Sequence, residues 1–157
     1  MGRTIVLFRA GAGLTYLAAF LSLAVQIADL IGPRGLLPVQ EFLERLRAAA
    51  PGPAARFHAF PTLFLWFDRG EVALAGVAIA GAAISLLMIA GIGGRTVSIL
   101  VWFLYLSCIT AGRDFFYYQW DNLLLECGLL ALLLPTDRRA PVAHFLFRAL
   151  LFKLYFE

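Results

Sequence analysis

Long runs without a charged residue alternate along the chain with short segments rich in Arg, Asp, Glu and Pro, and no stretch alternates apolar and polar residues at period 2. Uncharged stretches run from Ala10 to Ala28, from Val72 to Gly94 and from Thr96 to Gly112, and a fourth apolar run is built around Leu123 to Leu134. A hydrocarbon core of about 30 Å takes about 20 helical residues to cross, so the first three are long enough. The fourth carries Glu126 and follows Asp121. Its eight Leu residues offer about −2.5 to −5 kcal/mol of insertion free energy against about +2.5 to +3.5 for one central acid, so it still inserts. The pattern predicts an all-α fold: a polytopic transmembrane helix bundle of four spans, with the start of a fifth over Pro141 to Glu157. It reads as a single membrane-embedded domain over residues 1–157. The first span reads as a permanent anchor rather than a signal peptide, because it is too long, carries Gln26 and Asp29 near its end and lacks a small-residue cleavage pattern.

Between the first and second spans, Gly32 to Glu71 holds five of the seven prolines, and its pieces read as interfacial helices. Pro38 opens a helix running to Ala50, in which Val39, Phe42, Leu43 and Leu46 fall at i, i+3, i+4 and i+7, with Glu41 and Arg45 four apart on the wet side. That helix is expected to lie on the membrane surface. Arg56 to Asp68 follows, with Phe57, Phe60, Phe64, Trp66 and Phe67 placed to sit at headgroup depth as an aromatic belt. Gly91-Ile92-Gly93-Gly94-Arg95 reads as a tight turn, making the second and third spans an antiparallel hairpin. Ala73, Gly76, Ala80 and Ala83 follow helical spacing on the second span. Gly76 with Ala80, and Gly81 with Ser85, are small-xxx-small pairs expected to face a neighbouring helix.

Composition agrees: 62% of the 157 residues are apolar and 15% charged, far from the balance of a water-soluble domain. The +3 formal charge comes from 12 Arg and one Lys scattered through the chain, with no basic run of the kind that marks a nucleic-acid partner. The partner implied is the lipid bilayer. Basic residues in the short segments (Arg3, Arg9, Arg95, Arg138, Arg139) place the N-terminus and those turns in the cytoplasm, and the long interval outside. Arg9, near the end of its span, is expected to snorkel to the interface. Cys108 and Cys127 lie inside apolar segments and read as small buried side chains rather than a disulfide or metal ligands. His58 and His144 are far apart, so neither a metal site nor a Ser-His-Asp arrangement is supported, and no phosphate-cradling glycine motif occurs.

The densest polar cluster contains Arg113, Asp114, Gln119, Trp120, Asp121, Asn122 and Glu126. In a helix beginning near Phe116, Gln119, Asn122 and Glu126 share one face, with Asp121 about 100° from Asn122. Acids at membrane depth need a partner. Arg9, Arg113 and Arg148 are the candidates, and Lys153 stands apart near the chain end. The first span carries a second stripe, Thr15, Ser22, Gln26 and Asp29, expected to face the same polar interior. Two readings stay open: a polar site in the bundle, or a helix-to-helix hydrogen-bond network that fixes packing.

Three segments carry a resemblance. Gln119-Trp120-Asp121-Asn122-Leu123-Leu124-Leu125-Glu126-Cys127-Gly128-Leu129-Leu130 resembles the F-Q-W-D-x-L-L-L-E-x-G-F-L segment of the lipase maturation factor family, with Tyr118 in place of its Phe. Ile31-Gly32-Pro33-Arg34-Gly35-Leu36-Leu37-Pro38 resembles its I-G-x-x-G-L-L-P, and Phe60-Pro61-Thr62-Leu63-Phe64 its F-P-T-L-F. Leu150 to Glu157 looks like the start of the next family helix, so the likeness covers nearly the whole chain. The resemblance implies a multi-pass membrane protein of the chaperone type, not a hydrolase. In animals the family is an endoplasmic reticulum factor needed for secreted lipases to fold and assemble into active dimers. A bacterial member would sit in the inner membrane. Family members continue well beyond this length, so the region that engages lipase clients is expected to lie outside this chain. No cofactor is implied. Two alternatives stay open: a small four-helix protein of the DoxX type with a quinone-linked redox role, whose size and topology fit and for which the polar stripe could hold the quinone headgroup, and a relative of the vitamin K-dependent carboxylases, whose helical membrane domain looks distantly similar.

Overall fold

The computed structural model describes residues 3–49, 52–66, 70–116, 118–133 and 141–156. They form helices and turns with no strand among them. Helix α1 (Arg3–Ile31) is followed by two shorter helices, α2 (Val39–Ala49) and α3 (Pro53–Ala59), and a 3-10 turn, Leu63–Leu65. Helices α4 (Glu71–Ile89) and α5 (Gly94–Gly112) form the hairpin, and a second 3-10 turn, Arg113–Phe116, leads to α6 (Gln119–Leu133) and then α7 (Pro141–Phe156).

Among the described residues, three helices are long and apolar enough to cross a membrane: α1, α4 and α5 with its 3-10 extension, Gly94–Phe116. Helix α6, with 15 residues, rises only about 22 Å at 1.5 Å per residue, less than a hydrocarbon core. Large apolar side chains such as Leu7, Val25, Val72, Ile79 and Leu100 stand exposed on these helices. In water such a surface would be an aggregation hazard, whereas lipid tails cover it at no cost.

Helix α1 lies chiefly along α4, α4 along α5, α5 along α6 and α6 along α7, with α1 also touching α5 and α6. The α1 to α4 contact is close because Gly81 faces Phe20, where a Cβ would overlap the ring. Leu74, Ala78, Gly81, Ala82, Ser85 and Met88 are the buried side of α4. The small-residue expectation is therefore met by Gly81 and Ser85 and not by the other row: Gly76, Ala80 and Ala83 are exposed, and nothing lies within 4 Å of a Cβ at Gly76. Gly76 and Gly81 are five residues and about 140° apart on the helix, so one helical neighbour cannot take both.

Gly91 and Gly93 adopt φ of 73° and 76° in the hairpin turn, a left-handed conformation that a Cβ disfavours. Beneath this turn Arg9 is 9% exposed, and its Nε has no hydrogen-bond partner among the described residues. Arg9 thus lies near the end of its span, as expected, but buried in the bundle beside Met88 and the turn rather than exposed.

Helix α2 buries Val39, Leu43 and Leu46 and holds Glu41 and Arg45 3.7 Å apart on its outer side. It forms because its apolar positions repeat at helical spacing and an acid lies in its first turn. Phe57, Phe60 and Trp66 are wholly or partly exposed, but Phe64 is fully buried, so that ring belongs to the core and not to a belt; Phe67 lies outside the described residues. The reason is polar. The Thr62 hydroxyl donates to the Ser107 carbonyl at 3.0 Å and the Leu63 N–H to Ser107 Oγ at 3.3 Å, drawing the Phe60–Phe64 segment onto α5.

Candidate functional site

Helix α6 begins at Gln119 and carries most of the polar cluster. Asp121 sits in its first turn, where a carboxylate is favoured by the unpaired N–H groups and the helix dipole. It points to α5: the buried Tyr105 hydroxyl donates to Asp121 Oδ1 at 2.6 Å. One turn along, two main-chain carbonyls of α6 accept side-chain donors from two other helices. The Tyr16 hydroxyl of α1 donates to Leu124 O at 3.0 Å, and the Trp102 indole N–H of α5 donates to Leu125 O at 2.8 Å. Carbonyls have a second lone pair, so these bonds are compatible with an intact helix.

Gly128 permits this approach. A Cβ there would overlap the Tyr16 hydroxyl and stand 2.9 Å from Trp102 Cδ1. Tyr16 and Tyr105 pack edge to face at 5.4 Å, and Phe20 packs on Tyr105 at 5.5 Å, giving the polar contacts an aromatic surround. Glu126 meets α7 instead, where the Lys153 ammonium donates to Glu126 Oε1 at 2.6 Å.

A cavity of about 170 Å³ opens beside Asp121, lined in part by Tyr105, Ser22, Gln26, Phe115 and Phe116. Part of the α1 stripe thus reaches the α6 cluster. Ser22 and Gln26 line this space and are joined by a 3.2 Å hydrogen bond, from Gln26 Nε2 to Ser22 Oγ. The other members of the stripe diverge. Thr15 is exposed, donates to the Gly11 carbonyl of its own helix and lines a separate apolar groove of about 620 Å³ between α1, α6 and α7, and Asp29 is exposed near the end of α1.

The shared face expected for Gln119, Asn122 and Glu126 does not form one site. Asn122 is exposed, Gln119 half-buried, and Glu126 turned to α7, while Asp121, off that face, makes the contact with α5. Trp120 is exposed and stacks on Tyr118 with ring centres 6.1 Å apart, and Asp114 is exposed. None of the three arginines considered as partners meets an acid of α6. Arg113 lies 4.5 Å over the Phe42 ring, tying α2 to the end of α5, and holds a left-handed φ of 43° that costs about 1–3 kcal/mol. Arg9 lies under the hairpin turn, and Arg148 is exposed on α7.

Sequence reasoning missed Tyr16, Trp102, Tyr105 and Lys153. The three aromatics look like core in apolar runs, although a Tyr or Trp carries one polar atom that seeks a partner when buried. Among the described residues, no three His, Cys, Asp or Glu gather as a metal would require.

The segments with family resemblance are those that close the bundle. Ile31 to Pro38 ends α1, Phe60 to Phe64 docks on α5, and Gln119 to Leu130 supplies the α6 contacts. Residues 3–157 match the family model described as the lipase maturation factor transmembrane domain. Human lipase maturation factor 2 is 35% identical over 146 residues, which cover 88% of this chain and 20% of the relative. The Gallus gallus lipase maturation factor 2 is 34% identical over 168 residues (96% and 23%), and the Bos taurus lipase maturation factor 1 is 32% identical over 136 residues (83% and 24%). The chain spans about a fifth of the length of the curated relatives it matches first. No solved structure matches it. With a family match over residues 3–157 and membrane-length apolar helices within it, this chain is a multi-pass membrane protein and belongs to the lipase maturation factor family.

Proposed function

We propose that the chain is the membrane portion of a factor that assists the folding and assembly of secreted lipases, acting on a client polypeptide rather than catalysing a reaction. The observation that carries this reading is the family match over residues 3–157. Supporting it, the most family-like segment of the chain spends its polar groups on other helices: Asp121 on Tyr105, Glu126 on Lys153, and two carbonyls on Tyr16 and Trp102. These groups hold a scaffold together. Contact with the lipase is assigned to family sequence beyond the stretch matched here.

In this reading α6 is the fourth span and α7 begins a fifth. Helix α2 lies in the membrane plane, its Glu41 and Arg45 side in water. The membrane is the inner membrane in a bacterium and the endoplasmic reticulum in a eukaryote.

Co-purification tests the proposal. The intact protein, cross-linked in cells that are secreting a lipase and then isolated in mild detergent, is expected to bring down newly made lipase above the level recovered by an unrelated multi-pass protein. Recovery of a bound quinone and no lipase would overturn it in favour of the redox reading, and the cavity beside Asp121 would be the place to look for the headgroup.

A further inference from the structure

Arg9 is an electrostatic anomaly: the residue is nine-tenths buried and its Nε has no partner among the described residues. Arg stays protonated in proteins, so it cannot escape burial by losing its charge, and a buried charge without a partner is costly. No hydrogen bond or ion pair to Arg9 occurs among the described residues, and its Nε is shut off from solvent. It lines a cavity of about 190 Å³ beneath the α4 to α5 turn, with Gly91, Ile92, Gly94 and Ser98. None of the described residues lining that cavity is acidic. Its size far exceeds the ~10–15 Å³ that a single water needs.

The wall opposite Arg9 suits an anion. Gly94 is the first residue of α5, a helix of 19 residues whose first N–H groups have no partner within the helix. Gly91, Gly93 and Gly94 all have positive φ; the Gly91 and Ile92 N–H groups are spent on the Met88 and Leu87 carbonyls of α4, so the donors offered to the cavity are those at the start of α5. Ser98 donates its hydroxyl to Gly94 O at 3.2 Å, which leaves the oxygen lone pairs and not the proton toward other groups, so it is a wall and not a donor here. The exposed Arg95 adds positive charge at the same end of α5. Arg9 lies six residues, about 9 Å, inside the start of α1 and level with the turn, which is headgroup depth for helices of this length.

We propose that Arg9, with the glycine turn and the first residues of α5, forms a binding site for a phosphate group, the ligand being an anionic phospholipid whose headgroup enters beneath the turn. Arg9 takes the phosphate oxygens through its planar donor fork. The site is independent of the α6 contacts and of any role in lipase maturation.

Thermal unfolding of the full chain in a neutral detergent tests this with three additives: dihexanoyl phosphatidylglycerol, inorganic phosphate, and dihexanoylglycerol, which lacks phosphate. The wild type is expected to rise in Tm saturably with the phospholipid, and Arg9→Gln to respond with an apparent affinity about tenfold weaker or less. A response to the phospholipid alone identifies a lipid headgroup, and an equal response to inorganic phosphate shows that the phosphate group suffices; both support the site. Ile92→Asp, on the exposed turn at the cavity rim, keeps the proposal testable if Arg9→Gln does not fold, since its carboxylate should occupy Arg9 and suppress the response. A response to dihexanoylglycerol equal to that to the phospholipid, no response to either phosphate compound, or an undiminished response in the folded variants would overturn it.

Discussion

Asp121 matters because of what faces it. The Tyr105 ring and hydroxyl are buried, 2% exposed, and the hydroxyl's proton goes to the carboxylate across the α5 to α6 contact. Removing the acceptor leaves a buried donor unmatched, which costs about 1–3 kcal/mol, whereas an amide oxygen at the same place still accepts. Asp121→Ala is therefore expected to lower the unfolding temperature in detergent markedly and Asp121→Asn only slightly. Equal losses in the two variants would show that the carboxyl charge, and not the bond to Tyr105, is what the fold uses. Gly128 works in the opposite sense, by presenting nothing. Gly128→Ala pushes a methyl group into the Tyr16 hydroxyl and is expected to cost about 1–3 kcal/mol by the same thermal measurement, with a smaller further loss if Tyr16 is first changed to Phe, since the Trp102 ring still crowds the methyl.

At the level of elements, α6 and α7 are joined by an ion pair whose members are 43% and 35% exposed; under the proposal that these helices enter the membrane, that exposure is to lipid and not to water. Lys153→Met leaves the Glu126 carboxylate without its cation, and Glu126→Gln takes one contact from Lys153. Glu126→Gln and Lys153→Met are each expected to destabilise by about 1–3 kcal/mol, and the double change to restore much of the loss. Additive losses in the double variant would count against the pair. Helix α2 gives a prediction of a different kind. Spin labels at Phe42 and Glu44 in bilayers should differ in accessibility to a water-soluble relaxation agent, Glu44 being the wetter, because Phe42 lies between Arg113 and Phe60. Equal accessibility would contradict an oriented surface helix.

The elements also show what a linear pattern conveys. The three long spans were legible because a run of some twenty uncharged residues has few other homes, and α2 because an apolar repeat with an acid and a base four apart has one geometry. Which face of α4 meets α1 was not legible, since Gly76 and Gly81 both sit in small-residue rows and only the Phe20 ring decides between them. The partner of Glu126 was missed for a related reason. Lys153 lies 27 residues away on a different helix, and pairing across helices depends on rotation about their axes, which periodicity leaves undetermined.

For the whole molecule, a core of three long helices, α1, α4 and α5, is closed on one side by α6, whose polar atoms reach two of them. In the proposed account this assembly is the membrane scaffold of a lipase maturation factor, and its value to the cell is read in another protein. The most direct measurement is the activity of a secreted lipase per unit of lipase protein, in the native host with its gene for this factor deleted and then restored. Deletion is predicted to lower that ratio severalfold while lipase synthesis stays constant, with recovery on restoring the wild-type gene and incomplete recovery with Asp121→Ala. An unchanged ratio after deletion, in a host where the factor is normally made, would contradict the account.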